Sequence, residues 1–138
     1  MISNKQKHLE FIHGIINRMA HNSFALKGWA VTLVAGIFAL AAKDADKMYF
    51  LVTYIPIIVF WCLDAFYLKQ ERLYRSLYEH VRRLEEEDID YSMNTSISQC
   101  KSSKNTWINC FVSKTEMGFY LPLAFVATGI IILTSLLG

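Results

Sequence analysis

Two charges stand inside stretches that are otherwise apolar: Lys27 and Asp64. An ionisable side chain within a membrane helix is costly, and it faces protein or a water-filled cavity rather than lipid. Lys27 and Asp64 are therefore expected between helices, as a structural ion pair or as the lining of a conduction path; snorkelling to the surface is the third use of such side chains. A second constellation is Arg75-Ser-Leu-Tyr-Glu-His80. Its Arg-x4-His spacing offers a guanidinium for a scissile phosphate and an imidazole to move a proton, although side chains five apart do not share one helical face well. His8, His13 and His21 lack a carboxylate or cysteine at ligand spacing, so packing or solvated roles are expected and no metal. Cys62, Cys100 and Cys110 form no CxxC pair, and in a cytoplasmic setting the last two are expected as reduced thiols. No Gly-rich phosphate loop, nucleophile elbow, HExxH or paired-carboxylate pattern occurs. The expectation is a non-enzymatic protein without cofactors.

The elements that must position these residues follow from three apolar runs, Phe24 to Ala42, Met48 to Leu68 and Met117 to Gly138. Each is near the roughly 20 residues a helix needs to cross a bilayer. The first two reach that length only by including Lys27 and Asp64, whereas no charge follows Glu116 in the third. Lys43-Asp44-Ala45-Asp46-Lys47 reads as a tight turn, and with Ala45 as its apex Lys27 lies 18 residues before and Asp64 19 after. That puts both at one depth, near one face of the membrane. Residues 1–23 precede the first run as an amphipathic helix, with Leu9, Ile12, Ile16 and Met19 at helical spacing, and no cleaved signal peptide is expected. Beyond Asp64 no helix breaker occurs until the polar stretch past Tyr91, so the second helix is expected to run on over 69–88, for on the order of 60 Å from Met48. Leu73, Leu77, Val81 and Leu84 form an apolar stripe on that extension. A stripe standing in water needs a partner, either the N-terminal helix or the same helix of another subunit, and these four residues are expected to serve oligomerisation. Residues 89–116 read as a polar loop, with Trp107 placed where aromatics anchor a helix entering a bilayer. Small residues Gly28, Ala30, Ala35, Gly36, Ala39, Ala41 and Ala42 smooth the first helix and allow close packing. Pro56 is expected to kink the second.

Composition agrees with a membrane protein of one domain, 1–138. Of the 138 residues 54% are hydrophobic and 19% charged, against roughly 25% charged in soluble globular chains, and the mean hydropathy is +0.27. Aromatic residues at 14% exclude a disordered chain. A net charge of +2 gives no basic excess for direct nucleic-acid binding. Lys5, Lys7 and Arg18 precede the first run and eight further Lys and Arg lie between the second and third. Basic residues stay on the cytoplasmic side, so the N-terminus is expected inside and the C-terminus outside. The expected fold is an all-α integral membrane protein with three transmembrane helices, the second extended into the cytoplasm, and an amphipathic N-terminal helix.

Asn22-Ser-Phe-Ala-Leu-Lys-Gly-Trp29 leading into a hairpin, then Phe60-Trp-Cys-Leu-Asp-Ala-Phe-Tyr67 and Glu71-Arg-Leu-Tyr-Arg-Ser-Leu-Tyr78, resembles the small SLATT membrane effectors of bacterial phage defence. The likeness is architectural and covers roughly residues 22–83, with an extra third membrane helix here. It implies an inner-membrane protein that oligomerises and permeabilises the membrane when a cytoplasmic sensor protein or nucleotide signal reports infection. The expected function is thus an oligomeric channel or membrane-perturbing effector gated from the cytoplasm. Two alternatives belong to other classes: a non-conducting anchor for a cytoplasmic enzyme complex, and a membrane-tethered RNase, since Arg75 and His80 resemble the paired motif of HEPN nucleases.

Overall fold

A computed structural model of the chain describes residues 2–44 and 47–137. Ala45, the expected apex of the hairpin, lies outside the described residues, as does Gly138. The described residues are helical throughout, joined by turns and extended connections, with no strand among them. Three helices are long and apolar enough to cross a membrane, within 4–43, 50–83 and 114–137.

Helix α1, Asn4–Asp44, joins the amphipathic segment and the first apolar run without a break. Nothing in its 41 residues stops it, since it contains no proline, and at 1.5 Å per residue it spans about 60 Å. A capping box starts it: the Ser3 hydroxyl accepts from the Gln6 amide at 3.2 Å, and the Gln6 side chain accepts from the Ser3 amide at 3.0 Å. The chain returns as α2, Lys47–Val52, and α3, Tyr54–Arg83. The interruption at Thr53 follows from Pro56, which has no amide to give the carbonyl four residues back. The expected second helix is thus a short helix followed by a long one, interrupted at Thr53.

Helix α3 stops at Arg83, five residues before the expected end. Lys5, reaching over from α1, donates to the carbonyls of Arg82 at 3.1 Å and Leu84 at 2.6 Å. A cation on the last carbonyls suits the negative end of the helix dipole, whereas continuing through Glu85, Glu86, Glu87 and Asp88 would add four like charges there. The polar segment that follows is built along α3 as three 3₁₀ turns and a short helix α4, Trp107–Phe111, capped by the Thr106 hydroxyl. Buried Asn105 ties it down, donating to Ser76 on α3 at 2.9 Å and to the Cys100 carbonyl at 2.7 Å. Arg72 donates to the Lys104 carbonyl at 2.7 Å. Helix α5, Lys114–Leu137, begins three residues earlier than the apolar run, which draws Glu116 into its first turn.

Two apolar cores result. At the polar end Ile12 and Ile16 of α1 pack on Leu77 and Val81 of α3, closed by Ile89 and Cys100, with Leu73 and Leu84 half-buried against them. Of the two partners expected for the α3 stripe, the N-terminal helix is the one that packs on it: α1 and the polar segment of the same chain cover Leu77 and Val81 and half-bury Leu73 and Leu84. In the apolar part Ala30 and Val34 of α1, Ile57 of α3, and Tyr120 and Ala127 of α5 form the second core. Outside it Leu33, Leu40, Ile58, Phe125 and Leu133 face outward.

Candidate functional site

Along each long helix, polar side chains separate the two cores. On α1 they are Ser23 and Lys27, one turn apart; on α3, Asp64; on α5, Glu116 and Tyr120, again one turn apart. Side chains four apart on a helix share a face, so each pair reaches one point together. Asp64, Glu116 and Tyr120 are fully buried, and the Lys27 side chain keeps 16% of its surface.

The structure brings Lys27 and Asp64 into direct contact. The Lys27 ammonium forms an ion pair with Asp64 Oδ2, donates to the Ser23 hydroxyl at 3.0 Å, and reaches Glu116 Oε1 at 3.3 Å. The Ser23 hydroxyl in turn donates to Asp64 Oδ1, and the Tyr120 hydroxyl to Asp64 Oδ2 at 3.0 Å. The ammonium also lies 5.9 Å from the ring centres of Phe119 and Tyr120, within reach of their π faces. Asp64 thus has three donors on its two oxygens. Glu116 has the lysine as its one side-chain donor, on Oε1, its carboxyl also lies against that of Asp64, and its Oε2 is buried with no partner. One ammonium between two carboxylates can hold a charge balance that depends on a proton.

Sequence reasoning marked Lys27 and Asp64 but not Ser23, Glu116 or Tyr120. In the sequence Glu116 stands at the edge of an uncharged run, as the last residue of the polar segment. The signal was the pair of four-residue spacings, Ser23 to Lys27 and Glu116 to Tyr120, each at the polar end of an apolar run.

Next to the cluster, Trp61 stacks on Phe111 with ring centres 4.3 Å apart and donates to the Phe111 carbonyl at 2.9 Å. Trp107 donates to the Cys62 carbonyl at 3.2 Å, so this aromatic couples α4 to α3. The remaining marked residues lie in the polar end. Arg75 and His80 line one open groove of about 460 Å³ with Ser76, Glu79, Arg83 and Gln99. The Arg75 guanidinium is held by Glu71 through two bonds of 3.1 and 2.8 Å, which leaves its charge matched within α3. His8 is buried edge-on to Tyr91, His13 sits beside Tyr78, and His21 is exposed. Among the described residues no group of three His, Cys, Asp or Glu could hold a metal ion. All three cysteines are free thiols, and burial pushes Cys100 and Cys110 above the ordinary thiol range. No protein-family model, no curated protein and no solved structure matches the chain.

Proposed function

We propose that the chain is a multi-pass protein of the bacterial inner membrane, N-terminus inside and C-terminus outside, that acts as an oligomeric channel or membrane-perturbing effector gated from the cytoplasm. The observation that carries this reading is the buried cluster of Lys27, Asp64 and Glu116, sited where the apolar helices meet the polar end. Ionisable groups at such a depth are expensive and mark paths or switches for charge. Three helices whose shared space is filled by Val34, Ile57, Tyr120 and Ala127 enclose no passage, so conduction requires several copies. An outward stripe of small residues on α1, Gly28, Thr32, Ala35, Gly36 and Ala39, would let a second copy of this helix approach closely. With the α3 stripe covered, this is the surface on which the reading places assembly. The likeness to SLATT effectors supports antiviral defence as the setting, with a cytoplasmic sensor acting on the polar end.

Ion flux and dye release from liposomes containing the purified protein test the proposal. Release that rises more steeply than linearly with protein density supports an assembling conductor. Tight liposomes at every density would overturn it in favour of a membrane anchor, and RNA cleavage lost on replacing His80 would favour the nuclease.

A further inference from the structure

The unpartnered oxygen of Glu116 has a use that follows from counting charges. Asp64 accepts from Lys27, Ser23 and Tyr120, the environment of a carboxylate, and its charge matches the ammonium one for one. Glu116 is equally buried, yet its one side-chain donor is the shared lysine at 3.3 Å from Oε1, Oε2 has no donor, and the neighbouring carboxyl of Asp64 supplies no second cation. A second carboxylate here would be a buried charge without a counterion, a state proteins avoid by neutralising the group. The neutralising ligand must be a cation. A metal ion needs several oxygen ligands, and here the ammonium beside Oε1 would repel it. A proton needs one lone pair, and Oε2 has it.

We propose that Glu116 Oε2 is a proton-binding site, so that the resting cluster is Lys27 ammonium, Asp64 carboxylate and Glu116 carboxylic acid, with no net charge. The ionisable groups facing it are Lys27 from α1, Asp64 from α3, the Cys110 thiol from α4 and Tyr120 on α5 itself. The proton comes from water at the partly exposed Lys27 side chain, the one part of the ion cluster that is not fully buried, and returns there on release. Release leaves two carboxylates against one ammonium. The unmatched charge then lies in the first turn of α5, where that helix meets α1 and α3. Glu116 belongs to the cluster on which the proposed conductance rests, but a proton on Oε2 requires only the burial and the contacts of that cluster, not conduction.

Infrared difference spectroscopy of the full-length protein in detergent tests the assignment through the carbonyl band of protonated carboxyls. At neutral pH the wild type should show one such band, lost in Glu116→Gln and kept in Tyr120→Phe. A wild type without the band, or a band that survives Glu116→Gln, would overturn the proposal. The amide has the shape of the protonated acid, so Glu116→Gln should fold. If it does not accumulate, NMR of the wild type labelled with ¹³C at glutamate carboxyls gives the same answer: one protonated glutamate at neutral pH supports the site, and none overturns it. Liposomes that stay tight while the band is present would remove the conductance and leave the proton site standing.

Discussion

At the scale of single residues the cluster is asymmetric, and its two ions should not be equally hard to remove. After Asp64→Asn, Glu116 can give up its proton and become the counterion of Lys27, already 3.3 Å away. After Lys27→Met no other cation is at hand among the cluster's groups, and Asp64 must stay as an unpaired charge or take up a proton against its two hydroxyl donors. Breaking a buried pair costs about 3–5 kcal/mol, and Lys27→Met is expected toward that range, reduced by the water that reaches its side chain. Asp64→Asn should cost clearly less, and thermal melting of both variants in detergent checks the order. Equal losses would mean that Glu116 does not substitute for Asp64. Lys27 and Asp64 were legible in the sequence because a charge in an apolar run is conspicuous at any spacing. Glu116 was not, because its burial depends on where α5 starts, and helix starts are set by local caps such as the Ser113 hydroxyl that accepts from the Glu116 amide at 3.4 Å.

At the scale of elements, the polar end is a small core of its own made from two helix ends and the segment after them. The apolar spacing of Leu9, Ile12 and Ile16 and of Leu73, Leu77 and Val81 was plain in the sequence, but periodicity says only that a face is buried. It does not say whether the cover comes from the same chain, and here it does. Leu77→Ala should therefore cost about 2–5 kcal/mol and open the polar end to protease, with any assembly through the apolar helices retained while the fold lasts. A change in subunit number without loss of stability would restore the seam to oligomerisation. The segment after α3 has the composition of a loop, with Ser, Asn and Lys dominating it, yet buried Asn105, Cys100 and Cys110 fasten it to α3. Burial keeps both thiols protonated above the ordinary range, so the native state holds protons that the unfolded chain releases. Their contribution to stability is full below the ordinary thiol range and is lost as pH rises through the higher native values. Maleimide should accordingly label Cys100 and Cys110 slowly in the native protein and rapidly once it unfolds. Rapid native labelling would show that the segment detaches from α3.

At the scale of the whole molecule, packing ties the start of α1 to the end of α3 through Lys5, Ile12 and Ile16. If the apolar helices cross a membrane, both polar halves lie on one side of it, and a reporter fused at Gly138 decides the orientation. Activity of a reporter that requires the periplasm is expected. Assembly is the harder question, because substitutions that disturb a subunit also disturb its oligomer. Gly36 avoids that confusion. It lies on the outward face of α1, and a Cβ built on it meets nothing within 4 Å, so a larger side chain has room in the isolated subunit. Leucine is also the better helix former by somewhat under 1 kcal/mol. Gly36→Leu should therefore leave the melting temperature and the orientation unchanged or slightly improved. If copies meet along Gly28, Thr32, Ala35, Gly36 and Ala39, the same leucine holds the two backbones apart, because close approach requires small residues at the contact. Native mass spectrometry should then show smaller species, and liposome release should fall with them. Unchanged mass and release would remove this stripe as the interface, whereas lost release at unchanged mass would mean that the face acts after assembly, against lipid or within the opening itself.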